Sequence, residues 1–245
     1  MLVPQTISGL QLWLDASDAS TLYDATTGGS LVAADGAVKR WEDKSGNARH
    51  ATQSTNGPTR KTSLINGLDA LTFDGTNDLL RLPTSAINFG FGNFEVLIVG
   101  RSGTPASQQG FLVVQDNTTG AAAIFRMAII GGVLHFALRT SSTPAKALTD
   151  SSSYTADSLV MFGARRSSST LTVTKNGSSF GSDTFTGSLA ATSVEPGVGA
   201  YSDSEGAQDW FLDGEICEII AYNAALSSGD RAAVESYLMT KWGIS

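Results

Sequence analysis

Apolar and polar positions alternate along this chain in short runs of four to nine residues, separated by clusters of Gly, Asn, Asp, Ser and Pro. A period of two bounded by turn residues is the mark of half-buried strands. The pattern predicts strands at Leu10–Leu14, Val38–Glu42, Ala70–Asp74, Leu79–Leu82, Phe94–Arg101, Gly110–Gln115 and Ile124–Ile130. It continues with Val133–Arg139, Leu159–Arg166, Thr170–Lys175, Ser178–Phe185, Pro196–Ala200 and Phe211–Tyr222. Two hairpins are explicit. Gly131-Gly132 separates one strand pair and Asn176-Gly177 another, and both dipeptides tolerate the positive φ of a tight turn.

The period changes once, near the C-terminus. Val234, Tyr237, Leu238 and Lys241-Trp242 follow helical spacing and predict a helix over about Gly229–Lys241, with Ser227 as N-cap and Gly243 as the left-handed stop. A short helix with one apolar stripe must bury it, here against the strands. No internal repeat or linker divides the chain, so residues 1–245 are read as one all-β domain, a two-sheet antiparallel sandwich with one short C-terminal helix.

Composition narrows the partners. The 245 residues are 41% hydrophobic, enough for a core without disulfide staples. Charged residues are 16%, with a net charge of −7, and the adjacent basic pairs Lys39-Arg40, Arg60-Lys61 and Arg165-Arg166 are isolated. An acidic surface repels phosphate backbones, so nucleic acid is not an expected partner. No apolar run reaches the ~18 residues of a membrane span, so no membrane insertion is expected, and Met1–Gln5 carries no signal-peptide features. Cys217 is the single cysteine and reads as a small buried hydrophobe.

Several ordered motifs resemble one family. GLQLWLDASD (Gly9 to Asp18), WEDKSGNARHATQ (Trp41 to Gln53) and ALTFDGTNDLLRLP (Ala70 to Pro83) look like the opening segments of laminin-G-like jelly-roll domains. PGVGAYSDSEGAQDWFLDGEICEIIAYNAALSS (Pro196 to Ser228) and AVESYLMTKWGIS (Ala233 to Ser245) resemble their closing strands and helical tail. The resemblance implies a concanavalin A-like jelly roll of the kind found in bacterial and phage surface proteins. That fold hosts lectins, glycanases, adhesion modules and virion proteins alike, so function must come from sites.

Four constellations could carry chemistry. Asp43, Asn47, Asp74, Asn77 and Asp78 are hard oxygen donors on two tight loops, the ligand type calcium takes, and related jelly rolls hold calcium at such loops. The other reading is that they cap their own turns. Trp41 and Trp210 adjoin polar loops, as do Tyr154 and Tyr201; Trp41, Tyr201 and Trp210 form the candidate glycan platform, against a reading as core or loop anchors. The acidic stretch Tyr201–Asp209 is a solvated turn or a cation or partner contact. In DGEICE, a period of two puts Asp213 and Glu215 on one face and Glu218 on the other, so the paired acids of a glycanase are not reproduced. His50 and His135 have no nucleophile or ligand partner in sequence, and neither is assigned a role.

The expected function is therefore a non-catalytic binding or structural module of a surface assembly. A phage virion protein, a capsid decoration or fibre component docking on other virion proteins, fits the resemblance, and homo-oligomers are compatible with it. The alternative is a calcium-dependent lectin-like domain for glycans, with a glycoside hydrolase third.

Overall fold

The computed structural model describes residues 4–87, 92–115, 124–140, 143–187, 194–202 and 208–245. Strands run in the order β1 (Leu10–Asp15), β2 (Leu22–Tyr23), β3 (Arg40–Trp41), β4 (Ala51–Thr52), β5 (Thr59–Ile65), β6 (Leu68–Asp74) and β7 (Leu80–Arg81). Next come β8 (Phe94–Ser102), β9 (Gln109–Gln115), β10 (Ile124–Ile130), β11 (Val133–Thr140), β12 (Thr143–Thr149) and β13 (Val160–Ser167). The chain closes with β14 (Thr170–Lys175), β15 (Ser178–Thr184), β16 (Gly197–Val198), β17 (Tyr201–Ser202), β18 (Gln208–Asp209), β19 (Asp213–Tyr222) and helix α1 (Ser228–Trp242).

Two antiparallel sheets form a sandwich. The first has the order β15-β14-β13-β8-β19-β6-β5, with β1 also paired to β19; the second runs β12-β11-β10-β9-β16-β7-β4-β3-β2. The predicted hairpins are β10–β11, closed by Ile130↔Val133, and β14–β15, closed by Lys175↔Ser178. The edge strands β5 and β12 were not predicted, and of the Val38–Glu42 segment only Arg40–Trp41 pairs as strand.

Alternation sorts the side chains into two cores. Phe94, Val96 and Ile98 of β8 meet Phe125, Met127 and Phe136 of the facing sheet. Phe125 packs edge-on against Phe94 at 5.8 Å and against Phe136 at 5.6 Å, the arrangement aromatic quadrupoles favour. The opposite positions of the same strands, among them Leu97, Val99, Met161, Ile220 and Tyr222, join a second cluster beneath α1. The first sheet is thus covered on both faces where the helix lies.

The predicted stripe is the buried face of α1: Val234, Tyr237, Leu238 and Trp242. Burying each such side chain contributes about 1.5–3 kcal/mol. Ser227 accepts the amide of Asp230 at 3.1 Å, and Gly243 ends the helix at φ 70°. Among the described residues no helix is long and apolar enough to cross a membrane.

Candidate functional site

The outer face of the second sheet carries an aromatic–arginine cluster. In β10 Phe125, Met127 and Ile129 point into the core, so Arg126 points out. The chain leaves β16 through Gly199 at φ 79°, where a Cβ would collide with the Phe73 ring, so only glycine passes. It then forms the ribbon β17–β18, with Tyr201 opposite Asp209, which packs against β9. Trp210 follows at φ 55°, rare for a bulky residue. Its amide donates to Asp209 Oδ1 at 2.8 Å, and its carbonyl accepts from Gly110 at 2.8 Å.

Three side chains converge there. The Trp210 ring lies 5.4 Å from that of Tyr201 and 4.4 Å from the Arg126 guanidinium. Arg126 Nη2 donates to Gln115 Oε1 at 2.6 Å, while its Nε is buried without a partner among the described residues. His135, one register step away on the same face, also has a buried, unpartnered Nδ1. Burial first, then the charge of Arg126, holds this imidazole below its ordinary pKa, so it is neutral at pH 7. Trp210 is half-buried, and it lines a shallow depression with Gly75, Ser107, Gln108, Asp209 and Phe211. An aromatic surface rimmed by amide and hydroxyl groups suits the apolar face and hydroxyls of a sugar. A guanidinium alongside suits a carboxylate.

The other predicted residues fall elsewhere. Trp41 is fully buried in the sandwich core, paired between Leu22 and Ala51, and presents no ring to a ligand. Its polar sequence neighbours do not reveal that its own side chain faces inward. Tyr201 is only 9% exposed, so it supports Trp210 from beneath. Tyr154 is buried, and its hydroxyl bonds the Ser158 carbonyl. Residues 203–207 of the acidic stretch lie outside the described residues.

The five calcium-type residues do not meet. Asp43 accepts the amide of Trp13, and Trp13 pairs with Ile220 of β19; Asp74 pairs with Asp213, seven positions earlier on that strand. At the strand rise the two loops stand roughly 20 Å apart. Each is also committed locally. Asp43 accepts from Trp13 N, Ser45 N, Ser45 Oγ and Arg49 N, and Asp74 Oδ1 from the amides of Thr76, Asn77 and Asp78. Asp78 caps Asp74 N, and Asn47 donates to the carbonyls of Leu10 and Gln11. Among the described residues no group of three His, Cys, Asp or Glu is placed to hold a metal.

The acids of DGEICE carry one correction. A bulge between Ile216 and Glu218 adds a residue to β19, so Glu218 turns to the same face as Glu215 instead of the opposite one. Both are engaged: Glu215 with Arg101 at 2.6 Å and with the Thr72 hydroxyl, Glu218 with Trp13, Tyr237, Lys241 and Trp242. Glu218 has no exposed surface, so neither water nor a glycosidic bond reaches it. His50 Nδ1 accepts the amide of Asp43, and Cys217 is buried, its thiol pushed well up by burial.

Arg126 and Gln115 are the site residues the sequence reading missed. The available signal was one arginine inside the apolar run Ile124–Ile130.

No protein-family model matches the chain, and no curated protein matches it. Solved structures do. The binding domain of Paraclostridial Mosquitocidal Protein 1 superposes with a TM-score of 0.67 at 11% identity, over 97% of this chain and 53% of that one. The botulinum neurotoxin serotype D ligand binding domain in complex with N-acetylneuraminic acid gives 0.64 at 11%, over 97% and 52%. The Ruminococcus gnavus IT-sialidase CBM40 bound to alpha2,3 sialyllactose gives 0.52 at 16%, over 67% and 91%. The chain spans about half the length of the toxin binding domains. At these identities the likeness establishes the β-sandwich fold.

Proposed function

We propose that this protein is a non-catalytic glycan-binding module whose ligand meets the outer face of the second sheet at Trp210, with Arg126 selecting an acidic sugar. The observation that carries this reading is the Tyr201–Trp210–Arg126 cluster: an aromatic held at φ 55°, backed by one ring and flanked by a guanidinium whose Nε has no partner among the described residues. Backbone strain of this kind, about 1–3 kcal/mol, persists where surrounding structure holds a side chain for use. The engagement of Glu215 and Glu218 in internal bonds supports binding without hydrolysis. Two of the similar structures hold sialic acid or a sialylated sugar, which supports an acidic glycan as the class to test first.

In this reading the module works on the outside of a surface assembly. A phage virion protein is the case the sequence resemblance favours, with glycan contact on one sheet and docking to other virion proteins elsewhere. The test is isothermal titration with sialyllactose and with lactose. Binding of sialyllactose that disappears in Trp210→Ala, and falls toward the lactose value in Arg126→Gln, supports the proposal. Equal binding of both sugars overturns the role of Arg126.

A further inference from the structure

A second polar cavity lies on the other sheet, beside α1, far from Trp210. It has a volume of about 150 Å³ and is lined by Glu95, Gly163, Arg165, Thr172, Thr174 and Arg231 among others. Its floor is the outer face of β13 and β14, where Leu171 and Val173 turn inward and the threonines outward. Gly163 keeps it open, since a Cβ there would run into the Thr174 hydroxyl.

Neither of its two arginine guanidiniums makes a hydrogen bond among the described residues. Arg40, Arg49, Arg60 and Arg101 each donate to a carboxylate, an amide or a carbonyl. Arg165 does not: its Nε is buried without a hydrogen-bond partner among the described residues, and its ion pair there is the long contact to Glu95 Oε2 at 3.8 Å. The Arg231 guanidinium has no hydrogen bond or close ion pair among them, only the longer-range attraction of Glu95 and Glu235. Guanidinium forks left open in a cavity with hydroxyl donors are the chemistry that takes an oxyanion.

We infer that this cavity binds a small oxyanion, a carboxylate, sulfate or phosphate group, between Arg165 and Arg231. Glu95 is 3% exposed, and Oε2 accepts the amide of Leu226 at 3.2 Å. Burial pushes its carboxyl up to about 7, against the attraction of Arg165 and Arg231 and with repulsion from Glu235. Tyr222 faces it from β19. Protonation near neutral pH removes the one lining acid that would repel the ligand.

Inorganic sulfate is the probe, because its charge does not change between pH 6 and 8. Titration followed by amide chemical shifts should show saturable changes around Arg165, Gly177 and Arg231. Binding should be tighter at pH 6 than at pH 8 by up to about tenfold, the limit when only the protonated site binds. Arg231→Gln and Arg165→Lys should each weaken it; Arg231 is half-buried and its side chain makes no hydrogen bond among the described residues, so the first variant breaks no internal bond of the fold. Glu95→Gln should bind with no pH dependence. A parallel titration with glucuronate and acetate shows whether a sugar-borne oxyanion is preferred to a free ion; either preference supports the site. Absence of saturable shifts, shifts unaffected by the arginine variants, or a pH dependence that survives in Glu95→Gln overturns the proposal. Trp210→Ala should leave sulfate binding intact, which separates this cavity from the glycan reading.

Discussion

The Glu218 carboxylate accepts the Trp242 indole N–H at 2.8 Å, joining the central strand β19 to the last turn of α1. Its two oxygens also take Trp13 Nε1 at 2.7 Å, the Tyr237 hydroxyl at 2.9 Å and Lys241 Nζ at 2.8 Å. Lys241 reaches on to Asp15 at 2.7 Å, and Lys44 meets Asp15 from the other side. One buried acid of β19 thus gathers donors from β1 and α1. Removing it strands two indoles and a hydroxyl in the core and leaves Lys241 only Asp15 as a carboxylate partner, so Glu218→Ala should destabilise the fold by about 3–5 kcal/mol in urea unfolding. Glu218→Gln keeps an acceptor and should lose less. A loss below about 1 kcal/mol for the alanine variant would contradict this anchoring role.

Stability should also respond to pH through Glu95. Its folded pKa of about 7 lies above the unfolded value, so the favourable contribution is fully present below about pH 4.5 and is lost as pH rises through 7. Glu95→Gln removes that loss. It should therefore raise unfolding stability at pH 8 by about 1–3 kcal/mol while changing it little at pH 4.5. An equal effect at both pH values would sink the argument.

The loop of Asp43 should behave as a hydrogen-bonded cap. Its carboxylate satisfies the amides of Trp13, Ser45 and Arg49, so Asp43→Ala should lower stability by about 2 kcal/mol or more. Thermal melts in calcium and in chelator should show the same loss. A loss confined to the calcium sample would mean that this carboxylate holds metal.

These elements also show what the sequence could and could not convey. The hairpins at Gly131-Gly132 and Asn176-Gly177 were legible because their turn chemistry is local. The helix was legible from its stripe and from Ser227 and Gly243. Strand β5, Thr59–Ile65, was hidden because an exposed edge strand needs no apolar alternation. The bulge beside Cys217 was invisible for another reason: one extra residue reverses the facing of Glu218 without changing the pattern of residue types. Trp210 was legible as a loop aromatic. Its partner Arg126, 84 positions earlier, comes beside it only through the second sheet and the β17–β18 ribbon.

Trp210 and Arg126 are proposed to form a ligand site for acidic glycans. Its most direct measurement is titration of sialyllactose into the wild-type chain and into Trp210→Ala, with circular dichroism confirming that the variant is folded. Saturable binding by the wild type and none by the folded variant is the expected result. Undiminished binding by Trp210→Ala, or no sialyllactose binding by the wild type, would contradict it.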